Sequence, residues 1–345
     1  MIKKDKNMET KTISEQIIYK ITKRHFYDLY VFSNPKIKIE LGEVELADVL
    51  VLIGNVIVSI QVKEKNKSGK IDNESWFQKK VIKEANKQHK NTLKYLLANT
   101  ITFNNSNEEK IIQYEESRYK IMFMTIFRNE KMTEYKRYHK SSSLGEYPIF
   151  SIDDFSLICK DLLTPMDILS FVSFRIKLVK QYEKMSPRPL LIEVKFDDIH
   201  TGMVHDYSDA NLITMFIIRS ELIEKTAKLE TTKRFMSYMD ELLEIKTKTK
   251  DKFEMESINK ILELYSKMNS KDVKVFYDFV DGVVQNPKNY GQMQFDKEIM
   301  IISNMIYYEY NNFNVLASDL IKNNIREFFW VIADEHNIGT SLMKI

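Results

Sequence analysis

Asp48, Gln61 and Lys63 bracket the stretch DVLVLIGNVIVSIQVK, and their types and spacing suggest chemistry. Gly54-Asn55 in the middle is a two-residue turn of the kind that closes tight β-hairpins. With that turn, Ile53 faces Val56, and counting outward sets Asp48 opposite Gln61. Opposed residues of an antiparallel pair point to one face with Cβ atoms about 5 Å apart. Lys63 shares this face by the two-residue period of a strand. The other face, Val49, Val51, Ile53, Val56, Val58, Ile60 and Val62, is wholly β-branched and is the expected core side. An acid, an amide and an ammonium converging at one end suit phosphodiester hydrolysis. A carboxylate, a side-chain carbonyl and a nearby backbone carbonyl are hard oxygen ligands for Mg²⁺, and Mn²⁺ suits the same donors. Such an ion polarises a phosphate and acidifies water, while the ammonium offsets developing charge. A merely solvated polar end is the ordinary alternative for an isolated pattern of this kind.

Elements with their own sequence signals must position these residues. Residues 12–32 carry apolar side chains at helical spacing behind Thr12, and Glu15 completes a capping-box pattern. Asn34-Pro35 breaks that helix. Strands are expected over 46–53 and 56–63, followed by a polar loop and a long helix from Ser75, its cap, to about Asn99. YKIMFMTIF (119–127) reads as a buried strand and SSSLGEYP (141–148) as a loop, and residues 150–181 return to helical spacing around Pro165. MSPRP (185–189) reads as a linker, LLIEVKF as a short strand, and most of 208–345 as helical.

Composition limits the partners. The 345 residues carry 52 Lys and Arg against 49 Asp and Glu, so a nucleic-acid surface must come from local clustering. Lys79, Lys83, Lys87, Lys90 and Lys94 supply one, recurring at three- and four-residue spacing along the long helix beside Lys80. Such a stripe neutralises phosphates without reading sequence, although a solvated lysine face is common in a lysine-rich chain. Cys159 is the only cysteine, which excludes an internal disulfide and fits a reducing cytoplasm. The N-terminus does not read as a secretory signal, and Val49 to Ile60 is too short and too polar to cross a bilayer.

Taken in order, ELADVLVLIGNVIVSIQVKEK, the opening helix with Glu15, and the helix bearing Trp76, Lys79, Lys80, Ala85 and Gln88 resemble the PD-(D/E)xK, or restriction-endonuclease-like, superfamily. The match is to its QxK variant, as in Mrr-type enzymes, and covers roughly the first half of the chain. The resemblance implies an α/β nuclease domain over 1–183, a mixed sheet flanked by helices, and a mostly helical C-terminal domain over 184–345. It implies that Asp48, Gln61 and the Val62 carbonyl bind Mg²⁺ or Mn²⁺. Lys63 would orient or activate the attacking water or stabilise the transition state. Glu15 would be an additional or water-mediated ligand, with its capping role as the local alternative. Gln88 would support the site, and Trp76, Lys79, Lys80, Lys83 and Lys87 would support or contact the nucleic acid.

Double-stranded DNA is the implied substrate, in a bacterial restriction or anti-phage setting, with a homodimer or an accessory activating protein as further partners. The chain departs from the family pattern in having neutral Gln61 in place of an acid, which lowers the expected metal affinity, and Ala47 in place of the name-giving proline. Glu45 could compensate, but strand alternation sets it on the wrong face if the strand extends that far. A non-catalytic binding member of the same fold and an RNase or toxin effector are the alternative readings.

Other motifs carry less. Glu193-Val194-Lys195 lacks a preceding acid-bearing strand, His200, His205 and Asp206 fit surface positions, and Cys159 sits in an apolar helical pattern and is expected in the core. The lack of a Gly-rich phosphate loop argues against an NTPase motor.

Overall fold

A computed structural model describes residues 12–274, apart from 40–41, 66–70, 99, 105–108, 163, 185–208, 220–224 and parts of 251–264. The 185–189 linker, LLIEVKF, Glu193, Lys195, His200, His205 and Asp206 therefore lie outside the described residues.

Helix α1 (Ile13–His25) starts where expected, with both hydrogen bonds of the Thr12–Glu15 capping box formed. It stops at His25 rather than continuing to 32. Tyr27 takes the left-handed region at φ 62°, which an α-helix cannot pass, and after a short 3₁₀ turn the chain becomes strand β1 (Val31–Ser33). The aromatic and β-branched residues at 31 and 32 gain a long-range strand partner there, since Val31 and Phe32 pair with Val51 and Leu50. Next comes a small hairpin, β2 (Lys36–Ile39) and β3 (Gly42–Glu45), that was not expected. The central hairpin is β4 (Val49–Ile53) and β5 (Val56–Glu64), turned at Gly54, whose φ of 55° suits the residue.

A continuous helical stretch follows: α2 (Asn73–Trp76), a π-helical segment Phe77–Glu84, and α3 (Ala85–Ala98). Its cap is Asp72, which accepts the Ser75 N–H at 2.8 Å, so Ser75 lies inside the first turn instead of capping it. A second unexpected hairpin, β6 (Thr100–Asn104) with β7 (Glu109–Gln113), precedes β8 (Lys120–Arg128). The expected loop at 141–148 is instead the turn of a hairpin between β9 (Tyr138–Ser141) and β10 (Gly145–Ser151). Ser151 then caps α4 (Ile152–Asp161), and Pro165 opens α5 (Pro165–Lys184), a first-turn position that needs no N–H from it. Helix α6 (Asp209–Arg219) follows.

The chain is thus mixed α/β. Its six-stranded sheet runs β1-β4-β5-β8-β10-β9 and is flanked by helices. β4 pairs antiparallel with both β1 and β5, whereas β5, β8 and β10 run parallel, and the helical stretch from α2 to α3 makes the crossover from β5 to β8. One hydrophobic face of β4–β5 was expected; both faces are buried. The face carrying Leu50, Leu52 and Ile57 packs with Ile37, Leu96, Ile101 and Tyr114, contributed by the small hairpins, α3 and the following connection. Val49, Val51, Val58 and Ile60, on the other face, are no less buried. Trp76, Phe77, Val81 and Ile82 pack on Phe127 and Ile149 in a second cluster. Cys159 is buried in α4, and burial pushes its thiol up.

Two compact units divide the chain at 219/220. A buried ion pair ties α6 into the first unit. Arg175 of α5 donates through Nε to Asp209 Oδ1 at 2.5 Å and through Nη2 to Oδ2 at 3.0 Å, and both side chains are fully inaccessible. Arg137 adds a bond to Asp209 at 2.6 Å, and the Arg175 guanidinium lies 4.2 Å from the Phe150 ring centroid. The second unit includes α7 (Lys225–Lys248), where Phe235 and Tyr238 pack on Tyr265. Deleting one member of a buried pair strands the other charge. Asp209→Ala is accordingly expected to cost about 3–5 kcal/mol of stability, read as a lowered urea midpoint of the first transition.

Candidate active site

The strand register is the one counted from the turn: Ile53 pairs with Val56 and so on to Val49 with Ile60. One residue before β4, the Asp48 carboxylate accepts the Val62 N–H at 2.5 Å. The side chain thereby takes the place of a backbone acceptor beyond the end of β4. Within a strand, the N–H and C=O of one residue point to the same edge, so the Val62 carbonyl is directed toward the Asp48 side as well. On the other edge of β5, Gln61, Val62 and Lys63 are held by β8 through their pairing with Thr125, Ile126 and Phe127.

Asp48, Gln61 and Lys63 are only 8%, 3% and 9% exposed. Burial of an acid, an amide and a lysine together is unusual. Gln61 Oε1 is buried with no hydrogen-bond partner. An unsatisfied buried acceptor costs about 1–3 kcal/mol, and such an orphan calls for an explanation in terms of role. A hard cation would satisfy it. Among the described residues, no group of three or more His, Cys, Asp or Glu side chains is gathered to hold a metal. The donor set that fits one combines the Asp48 carboxylate with the Gln61 amide oxygen and the Val62 carbonyl.

Glu15 plays its local role, because its carboxylate accepts the Thr12 N–H at 3.1 Å. It also feels the site: burial first, then the charge of Asp48, raises its pKa, while Thr12 and Lys63 oppose the rise. The neighbouring Ser14 N–H donates to Glu64 at 3.2 Å, which fastens the start of α1 to the end of β5.

The strand does not extend unbroken to Glu45, the condition on which alternation would set it on the wrong face. Alternation does not carry from β4 back to residue 45, because the chain leaves strand conformation over Leu46-Ala47-Asp48. There the Leu46 N–H bonds Pro35 O at 2.8 Å and the Asp48 carbonyl accepts the Asn34 N–H at 3.1 Å. Glu45, an exposed residue at the end of β3, thus brings its carboxyl to Asp48. Its pKa is pushed up to about 7 by burial of the carboxyl, then by the charge of Asp48, a hydrogen bond to Asp48 and the charge of Glu15, with Lys36 opposing. A hydrogen bond between two carboxyl groups requires one shared proton.

On the helix, Lys79, Lys83, Lys87, Lys90 and Lys94 are exposed, whereas Lys80 is half-buried and paired with Glu84 at 2.7 Å. Trp76 is buried against Phe127, with ring centroids 6.3 Å apart, so it supports the helix from the core and is not presented to a ligand. Gln88 is half-buried, with Oε1 lacking a hydrogen-bond partner.

The residue after Gln88 was missed by the sequence reading. His89 is fully buried, contacts Thr125 Oγ1 through Nε2 at 3.1 Å and packs on the Phe123 and Tyr147 rings. Thr125 is the strand partner of Gln61, so His89 braces the site from behind. The signal was present: Ala85, His89, Thr92 and Leu96 form the buried stripe of α3, and a histidine on such a stripe marks a core polar contact.

No protein-family model, curated protein or solved structure matches this chain.

Burial, with Lys63 and His139 nearby, lowers the His89 pKa to about 3. The unfolded chain takes up this proton first, near pH 6.5, so the neutral ring stabilises the fold fully above that pH and progressively less as pH falls toward 3. Between pH 7.5 and 5.5 the wild type is expected to lose about 1.4 kcal/mol more stability than His89→Gln, which keeps a polar side chain but cannot titrate. Urea midpoints at the two pH values measure it.

Proposed function

We propose that the protein is a metal-dependent endonuclease of the restriction-endonuclease-like class in its QxK form, acting on double-stranded DNA. The observation that carries this reading is the buried Asp48–Gln61–Lys63 set, with Asp48 anchored on the Val62 amide and Gln61 Oε1 lacking a protein partner. The element order supports it: a helix bearing Glu15, an antiparallel hairpin bearing the polar set, a helical crossover, and a parallel strand beside the set. A restriction or anti-phage role is the setting that the family resemblance suggests.

Asp48, Gln61 Oε1 and the Val62 carbonyl would hold Mg²⁺ or Mn²⁺, which when bound lowers the pKa of water and polarises the scissile phosphate. Lys63, held nearly out of solvent, places an ammonium where charge develops on the phosphate oxygens, and the low local dielectric strengthens that interaction. Asp48 orients the ends of both strands through Val62. His89 and Thr125 keep the β5 backbone from shifting, which preserves the separation of Gln61 and Lys63. The exposed lysines of the adjacent helix would neutralise backbone phosphates, a function that requires no base contacts.

Purified protein is expected to nick or linearise plasmid DNA with Mg²⁺ or Mn²⁺, to be silent with chelator, and to prefer DNA over RNA in parallel digests. Asp48→Ala and Lys63→Ala, confirmed as folded, should each lose at least about 10²-fold in cleavage rate. Equal cutting by both variants, or cutting in chelator, would overturn the site. For binding, the variant Lys83→Gln/Lys87→Gln/Lys90→Gln should flatten the slope of log affinity against log salt by about 0.9 per lysine, measured by fluorescence anisotropy on duplex DNA.

A further inference from the structure

The neutral Gln61 leaves an electrostatic deficit in the proposed site. Asp48 and Lys63 carry opposite single charges and cancel, so the set alone attracts a divalent cation weakly. Glu15 supplies part of the missing charge, but its carboxylate is engaged at the Thr12 N–H. Glu45 has no such capping duty. It stands at the end of β3, and Lys36, its partner in register, is paired with Glu43 at 3.7 Å.

We infer that Glu45 is a ligand of the divalent cation at this site, delivering from the β2–β3 hairpin the negative charge that Gln61 lacks. The inference rests on the nuclease reading above and adds to it a residue outside the strand-borne Asp-Gln-Lys set.

Two independent observations meet here. The first is placement: the Leu46–Pro35 bond continues the β2–β3 register and the Asp48–Asn34 bond the β1–β4 register, so Ala47 is one extra residue between them, and the alternation shifted there sets Glu45 on the Asp48 side, with its carboxyl against that of Asp48. The second is the buried Gln61 Oε1, without a partner and on the same face of the hairpin as Asp48. Together they put two carboxyl groups and an unpartnered amide oxygen on one side of the hairpin. The second carboxylate leaves the set with a net negative charge once Lys63 is counted.

The test is Mn²⁺ binding by isothermal titration calorimetry and metal-induced thermal shift on the full chain, with no substrate. Glu45→Gln should weaken Mn²⁺ binding by about tenfold or more, while its metal-free melting temperature stays equal to or above that of the wild type, because a carboxyl facing Asp48 has been removed. Gln61→Glu introduced into Glu45→Gln should restore affinity to within a few-fold by returning the charge on the neighbouring strand. Wild-type affinity in Glu45→Gln, alongside lost binding in Asp48→Asn, would overturn the role of Glu45 and leave the nuclease reading intact. Absence of Mn²⁺ binding by the wild-type chain at millimolar concentration would overturn both.

Discussion

The bond from the Val62 N–H to the Asp48 carboxylate is the interaction on which the site depends. β4 ends its pairing with β5 at Val49–Ile60, yet β5 runs on to Glu64. Beyond that last pair the β4-facing edge of β5 would carry unanswered backbone groups in a buried setting, a costly state. Asp48 answers the amide with its side chain and leaves a carbonyl facing the same way. The other edge of β5 stays paired to β8 as far as Glu64–Arg128. A strand rigid on one side and opened by one carboxylate on the other is what aligns Gln61, Val62 and Lys63.

The polar set is embedded in apolar packing. Leu50, Leu52 and Ile57 lie on its own face, and the opposite face is equally closed, so the hairpin cannot slide without breaking the side-chain packing on both faces. That rigidity offsets the cost of holding an unsatisfied amide oxygen and facing carboxyl groups. The Arg175–Asp209–Arg137 cluster is the opposite case. There each charge is met by a charge, Arg175 Nη1 also donates to the Arg137 carbonyl at 2.6 Å, and the network joins α5, α6 and the approach to β9. One network is satisfied within the chain and serves structure; the other retains an orphan oxygen, as a ligand site does.

The helix beside the site combines two surfaces. Its buried stripe, from Trp76 through Val81 and His89 to Leu96, fixes it to β8 and the central hairpin, and its exposed stripe carries five lysines. The π-helical segment Phe77–Glu84 lies where these two demands meet, with Phe77, Val81 and Ile82 inward and Lys79 and Lys83 outward. Such wide turns recur at functional sites.

Local signals in the sequence determined the hairpin, its register, the capping box of α1 and the lysine stripe. Each depends on neighbours within a few residues: Gly54-Asn55 for the turn, a two-residue alternation for Asp48 and Gln61, and Thr12 with Glu15 for the cap. Where local preference competed with distant partners, the distant partners decided. Val31 and Phe32 suit a helical pattern but pair with β4, residues 141–148 read as a loop but close a hairpin, and Asp209, far along the chain, is drawn in by the buried Arg175. Only the tertiary structure placed Glu45 against Asp48 and His89 behind Thr125. Strand alternation holds only while the ladder is regular: the Leu46–Pro35 bond continues the β2–β3 register and the Asp48–Asn34 bond the β1–β4 register, and the extra residue between them, Ala47, shifts the alternation by one, a long-range pairing that residue spacing does not encode.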